Sequence, residues 1–184
     1  MVQYLKDAWQ PFIAAGETAL LEERHDDAKV NFQMALLEAE ICQRSALCLA
    51  TTLDLLADTC QLLNQREEAE EFYLRSLRIK QNNGAFSRLD ILRTMFKLSK
   101  SYYQQSKLSA AAYTTKKLLD LSEQTFAPSH PMIALAARQL ADLYNQLGSS
   151  REAQQFYQRA DDVQKNQISP EWAIHTAAPF CINL

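Results

Sequence analysis

Between Met132 and Gln164 the apolar residues form two helical patterns on either side of a polar break, Gly148-Ser149-Ser150. The first pattern carries Ala137, Leu140, Ala141 and Tyr144; the second carries Ala153, Tyr157 and Ala160. Gaps of three and four keep each set on one face of a helix. A short turn between two such helices predicts an antiparallel hairpin. Ala141 and Ala153 would permit close approach, with Tyr144 and Tyr157 filling the space beside them.

The same pattern recurs along the chain. Ala141 has counterparts 42, 84 and 125 residues earlier, at Ser99, Ala57 and Gly16. The same offsets carry Ala153 to Ala111, Ala69 and Ala28, and Tyr157 to Thr115, Tyr73 and Phe32. They also relate Ala160 to Leu118, Ser76 and Ala35, and Leu140 to Leu98, Leu56 and Ala15. Agreement at five positions marks a repeat of about 42 residues. It predicts four hairpins, at about 9–44, 46–82, 88–123 and 131–165, as one domain over 1–165.

In the first hairpin Trp9, Phe12, Ala15, Gly16 and Ala19 form the inner face, and Asp26 is placed to cap the second helix. In the second, Leu53, Leu56, Ala57 and Cys60 precede a turn at Asn64, a residue that tolerates a left-handed backbone. Ala69, Phe72, Tyr73 and Leu77 follow, and Asn82-Asn83-Gly84 reads as a C-terminal cap. The third uses Met95, Leu98, Ser99 and Tyr102, turns near Ser106, and has the least typical second helix, with Thr115 where an aromatic is expected. Before the fourth, Ser129 or His130 can cap a helix that has Pro131 at its first position. Residues 166–184 leave the period. Ser169-Pro170-Glu171 is a helix start, and Trp172, Ala173 and Ala177 suit a C-terminal capping helix over the last repeat.

Composition agrees with helix: 3 Gly and 5 Pro in 184 residues, with much Ala, Leu, Gln and Glu. A net charge of −3 offers no footprint for nucleic acid. No run of 18 apolar residues spans a membrane, and MVQYLKDAWQ lacks the order of a signal peptide, so the expected location is cytoplasmic. Cys42, Cys48, Cys60 and Cys181 form no C-x-x-C pair, and no histidine spacing completes a zinc site. His25, His130 and His175 fall in a turn, a linker and the tail, and no Gly-rich phosphate loop exists. No catalysis, metal or cofactor is expected. Cys181-Ile182-Asn183-Leu184 has the outline of a prenylation box, but Asn183 stands where an aliphatic residue belongs and no polybasic run precedes it.

These hairpins resemble tetratricopeptide repeats. The linker Phe126-Ala127-Pro128-Ser129-His130-Pro131 followed by Leu140-Ala141-Asp142-Leu143-Tyr144 is similar to the kinesin light chain subtype, whose linkers end in His-Pro; the other linkers here lack that dipeptide. The resemblance covers roughly residues 9–165 and implies an all-α, right-handed solenoid whose first helices line the concave surface. By register, that wall presents Asp54, Asp58 and Gln61, then Arg93, Lys97, Lys100, Tyr103 and Gln104, then Arg138, Gln139, Asp142 and Asn145.

Two readings of these charges are open. They can pair between neighbouring repeats, Asp58 with Lys97 or Lys100, at about 0–1 kcal/mol each. Alternatively, the basic middle, Arg93, Lys97, Lys100 and Arg138, receives an acidic or C-terminal peptide, with Tyr103 as an aromatic wall. Repeats that clamp a chaperone's terminal carboxylate are matched at Arg93 and Lys97 but not at Ile13, Glu17 and Leu55, so that role is not expected. Kinesin light chains bind peptides with a Trp flanked by acids, and Glu171-Trp172 is a crude version of one. The expected function is a protein–protein interaction module, an adaptor or scaffold taking a partner's peptide in the groove. The alternative is a structural unit forming a homo-oligomer through repeat ends and tail.

Overall fold

The computed structural model describes residues 9–167; the tail reading over 166–184, including Trp172 and Cys181, lies outside the described side chains. Eight helices follow one another among the described residues: α1 (Trp9–Leu21), α2 (His25–Ile41), α3 (Ala46–Leu62), α4 (Arg66–Gln81), α5 (Arg88–Gln104), α6 (Leu108–Thr125), α7 (Pro131–Gln146) and α8 (Ser150–Gln167). No strand occurs among them. The fold is the all-α solenoid of paired helices that the 42-residue period implies. The chain divides into two compact units between Thr115 and Lys116, so that α6 begins in one and ends in the other.

In the first unit, small residues set the spacing of the helices. Ala19, Ala28 and Phe32 pack with Leu56, and Ala57, Cys60, Ala69 and Tyr73 pack with Leu98. The first and second hairpins therefore each receive a leucine from the hairpin that follows. Leu56 and Leu98 are buried for this reason, whereas their register-mate Ala15 is exposed. The expectation that Ala15 lies on the inner face fails because no described helix precedes α1 for it to pack against. Trp9 is anchored to the next hairpin instead, its Nε1–H donating to Thr52 Oγ1 at 2.9 Å.

The second unit holds the hairpin of α7 and α8. Ala137, Leu140, Ala141, Ala153 and Ala160 are all buried. The Tyr144 and Phe156 rings stack at 5.6 Å between centroids.

One turn geometry joins the two helices of every hairpin. Glu23, Asn64, Ser106 and Gly148 all have positive φ, between 59 and 80°. In each, the next residue's N–H reaches back to a carbonyl five residues earlier: Arg24 to Ala19, Gln65 to Cys60, Lys107 to Tyr102 and Ser149 to Tyr144, at 2.8–2.9 Å. This closes the last turn of the preceding helix. Asn64 and Ser106 turn where the sequence predicts; a glutamate at the left-handed position was not foreseeable from residue type.

The caps differ in part from expectation. Asp26 does not cap α2; it lies in the first turn, and Arg24 precedes the helix without a side-chain cap. Its charge still complements the helix dipole there. Asn82-Asn83-Gly84 closes α4 without a left-handed residue, since Asn82 has φ −91°. His130 caps α7 through Nδ1, which accepts from the Met132 N–H at 3.2 Å, with Pro131 in the first turn as expected. Ser87 and Asp90 form a reciprocal capping box at the start of α5 that the repeat pattern does not reveal.

Candidate functional site

The residues expected to face a peptide lie on α3 and α5 in the first unit and on α7 in the second.

On α3 and α5 the acidic patch is occupied from within. Asp58 accepts the Tyr73 Oη–H at 2.6 Å on one oxygen and Lys97 Nζ at 2.5 Å on the other. Pairing between neighbouring hairpins, the first of the two readings, thus holds for Asp58 and Lys97. Asp54 takes the Ser76 Oγ–H at 2.6 Å and forms an ion pair with Lys80. Lys80 is only 6% exposed and also donates to Thr94 Oγ1 at 2.7 Å, so its ammonium is held by groups from two neighbouring helices, α3 and α5. Lys80 belongs to α4, a second helix, which is why a register search along first helices misses it. Gln61 is likewise engaged, donating to Ser101 Oγ at 2.7 Å.

Burial and the neighbouring carboxylates act on the tyrosine beneath this network. Tyr73 is pushed well above an ordinary phenol, first by desolvation and then by Asp58. It stays protonated and donates. Thr115, the atypical residue of the third hairpin, shares a 2.5 Å hydrogen bond with Ser99. A pair of small hydroxyls thus replaces the pairing of a small residue with an aromatic, and α6 remains an 18-residue helix.

Two cations of the stripe remain exposed and without an ion pair among the described residues, Arg93 and Lys100. Asp90, one turn before Arg93, is itself held by Ser87, whose hydrogen bonds are the main cause of its lowered pKa. Tyr103 is 49% exposed on the same helix, and Gln104 is exposed beside it.

In the second unit Arg138 is drawn to α8, where it meets Asp161 at 3.1 Å and Gln164 at 3.3 Å. Asp142 accepts from the Tyr157 hydroxyl. This repeats the Asp58–Tyr73 contact two hairpins earlier. Asn145 is exposed and Gln139 half-buried. Among the described residues no cluster of three or more His, Cys, Asp or Glu could hold a metal, and no helix is long and apolar enough to cross a membrane.

Comparison with known proteins agrees with this geometry. Two tetratricopeptide repeat models match, over residues 50–83 and 90–166, and together they cover more than half of the chain. No curated protein matches the sequence. Among solved structures, BtubC (BKLC) from P. vanneervenii superposes with a TM-score of 0.70 at 19% identity, covering 85% of this chain and 62% of that one. The chain therefore spans less than two thirds of that protein. The nearly identical TPR-like repeats described for a Podosopora anserina kinesin light chain give 0.71 at 18% identity, over 84% of this chain and 74% of that one. YrrB, a TPR protein with an unusual peptide-binding site, gives 0.60 at 18% identity, over 84% and 68%. Such identities carry the fold. With the period, the shared turn and the repeat models in agreement, the chain belongs to the tetratricopeptide repeat family.

Proposed function

We propose that this protein is a non-catalytic adaptor that binds an acidic peptide segment of a partner along the first-helix wall, in the region of α5. Tetratricopeptide repeats generally mediate protein–protein interaction. YrrB supports a peptide mode by analogy. One observation carries the choice of ligand. Asp54 and Asp58 are neutralised by Lys80 and Lys97, while Arg93 and Lys100 have no such counterion. The α3–α5 stripe therefore keeps two cations without an ion pair, while its remaining acid, Asp90, is turned into the capping box with Ser87. An extended peptide carrying Asp or Glu would gain charge-assisted hydrogen bonds from both, and Tyr103 would pack beside it. Leu47 and Leu89, 60% and 46% exposed on the same two helices, would take apolar side chains between the acids.

Peptide display against the protein tests this. Enriched sequences should be rich in Asp and Glu, and Arg93→Glu/Lys100→Glu should weaken a selected peptide at least tenfold, with unchanged helicity and melting. Enrichment without acids, or equal binding by the variant, would remove α5 from the site.

A further inference from the structure

Asn82-Asn83-Gly84 has the sequence of a helix terminator, yet the structure makes no use of its glycine as one. Gly84 lacks the positive φ that Gly148 has, and a Cβ built on it would meet nothing within 4 Å. Neither backbone conformation nor packing therefore calls for glycine at this position. What remains is an Asn-Gly bond in the loop between α4 and α5, half-buried at Asn83 and exposed at Gly84 and Ala85. Asn83 opens a tight turn. Its carbonyl oxygen accepts from the Phe86 N–H at 3.3 Å, and its side-chain Oδ1 accepts from the Ala85 N–H at 3.0 Å. The Gly84 N–H donates to no group among the described residues.

We infer that Asn83 is a site of spontaneous deamidation, in which the Gly84 backbone nitrogen attacks the Asn83 side-chain carbonyl carbon. The nitrogen gives up its proton to a solvent base and bonds to Cγ. The Cγ–Nδ2 bond then breaks and ammonia leaves, which gives a five-membered succinimide. Water opens that ring at either carbonyl, to aspartate or to isoaspartate. Three features favour attack here. No Cβ on residue 84 crowds the nitrogen, and its N–H is not tied to a carbonyl. The Ala85 N–H stands on Oδ1, the oxygen that gains negative charge as the nitrogen adds. The other described asparagines lack this set. Asn31 lies within α2, with its Nδ2 donating to the Asp27 carbonyl. Asn64 is followed by Gln65, whose N–H is held by the Cys60 carbonyl at 2.8 Å. Asn82 is followed by Asn83, whose N–H reaches the Lys80 carbonyl. Asn145 and Asn166 lie within α7 and α8. Either product places a negative charge between α4 and α5, and isoaspartate also adds a methylene to the main chain joining the second hairpin to the third.

The full chain, incubated at 37 °C and pH 8, is sampled over days for peptide mapping by mass spectrometry and for methyl transfer by an isoaspartyl methyltransferase. Asn83 should convert before any other asparagine, giving aspartate and isoaspartate together. Gly84→Ala should slow the conversion at least fivefold with unchanged helicity and melting, since its Cβ enters open space. The urea-unfolded chain should convert Asn83 no more than tenfold faster than the folded one, because the fold leaves the bond open. An Asn83 that stays intact in the folded chain while the unfolded chain converts would overturn the inference. So would earlier conversion at another asparagine, or equal ageing of Gly84→Ala. Aspartate without isoaspartate would overturn it as well, since direct attack by water would then replace attack by Gly84.

Discussion

Gly16 lies directly beneath the ring of Phe32, and a Cβ placed on Gly16 would stand 2.4 Å from Phe32 Cε1 and 2.7 Å from Cδ1. Phe32 is fully buried, so the ring has no free direction in which to retreat. The smallest residue of the first-helix series thus faces a fully buried aromatic ring, where other hairpins pair Ala57 with Tyr73 or Ser99 with Thr115. Gly16→Ala should destabilise the protein by about 1–3 kcal/mol through overpacking, despite alanine's better helix propensity. Phe32→Leu in the same chain should return part of that loss. Urea unfolding of the two single variants and the double one measures the coupling, and additive effects would rule out this contact as the cause.

The left-handed turns can be improved or damaged by one residue. Ser106 has φ 59°, a conformation that costs an L-residue about 1–2 kcal/mol. Ser106→Gly should raise the melting temperature, within the limit set by glycine's larger unfolded-state entropy. Gly148 has φ 80°, and a Cβ there would meet nothing within 4 Å, so Gly148→Ala should destabilise by about 1 kcal/mol from backbone strain alone. Opposite signs in a thermal melt are the expected result; a matching sign would show that side-chain contacts dominate these turns.

Lys80 is held at 6% exposure by Asp54, Thr94 and the packing around them. Asp54→Ala would leave its ammonium without a counterion and should cost about 3 kcal/mol or more. Asp54→Leu/Lys80→Met, which removes both charges, should recover most of it. Chemical denaturation decides, and an equally unstable double variant would mean that the ion pair itself, not the avoided lone charge, holds this site.

Tyr73 gives a pH signature. Its folded-state pKa is raised above the ordinary value of 10.0, chiefly by burial. Below pH 10 both states keep the proton and its contribution is complete. Above it only the unfolded chain ionises readily, so stability should fall as pH rises past 10. The same sign applies to Cys60, whose thiol burial pushes up to about 11. Melting from pH 8 to 11 should show a steeper alkaline loss for the wild type than for Tyr73→Phe. Parallel curves would assign the loss to other groups.

Much of this molecule was legible in its residues. The period placed all eight described helices, because gaps of three and four select a helix face and small residues mark close approach. The His130-Pro131 start and the turns at Asn64 and Ser106 followed from local chemistry. Other features did not follow, for identifiable reasons. Ala15 has the register of a core residue and is exposed, since burial depends on a neighbour and not on period. Lys80, near the end of α4, neutralises Asp54, 26 residues away, and a register along first helices does not reach it. Arg138 was grouped with Arg93, Lys97 and Lys100 in the basic middle but is taken by Asp161.

The sequence by itself determined the repeat, its hairpins and the helices that could line a wall, because these depend on spacing along one chain. Only the tertiary structure decided which wall charges are spent on internal pairs and which remain exposed. It also decided that Val30, Met34, Leu37 and Ile41 of α2 lie exposed and not in the core. Both outcomes depend on which side chains meet across different helices, and Coulomb pairing and burial act on distance in space, to which distance along the chain is a poor guide.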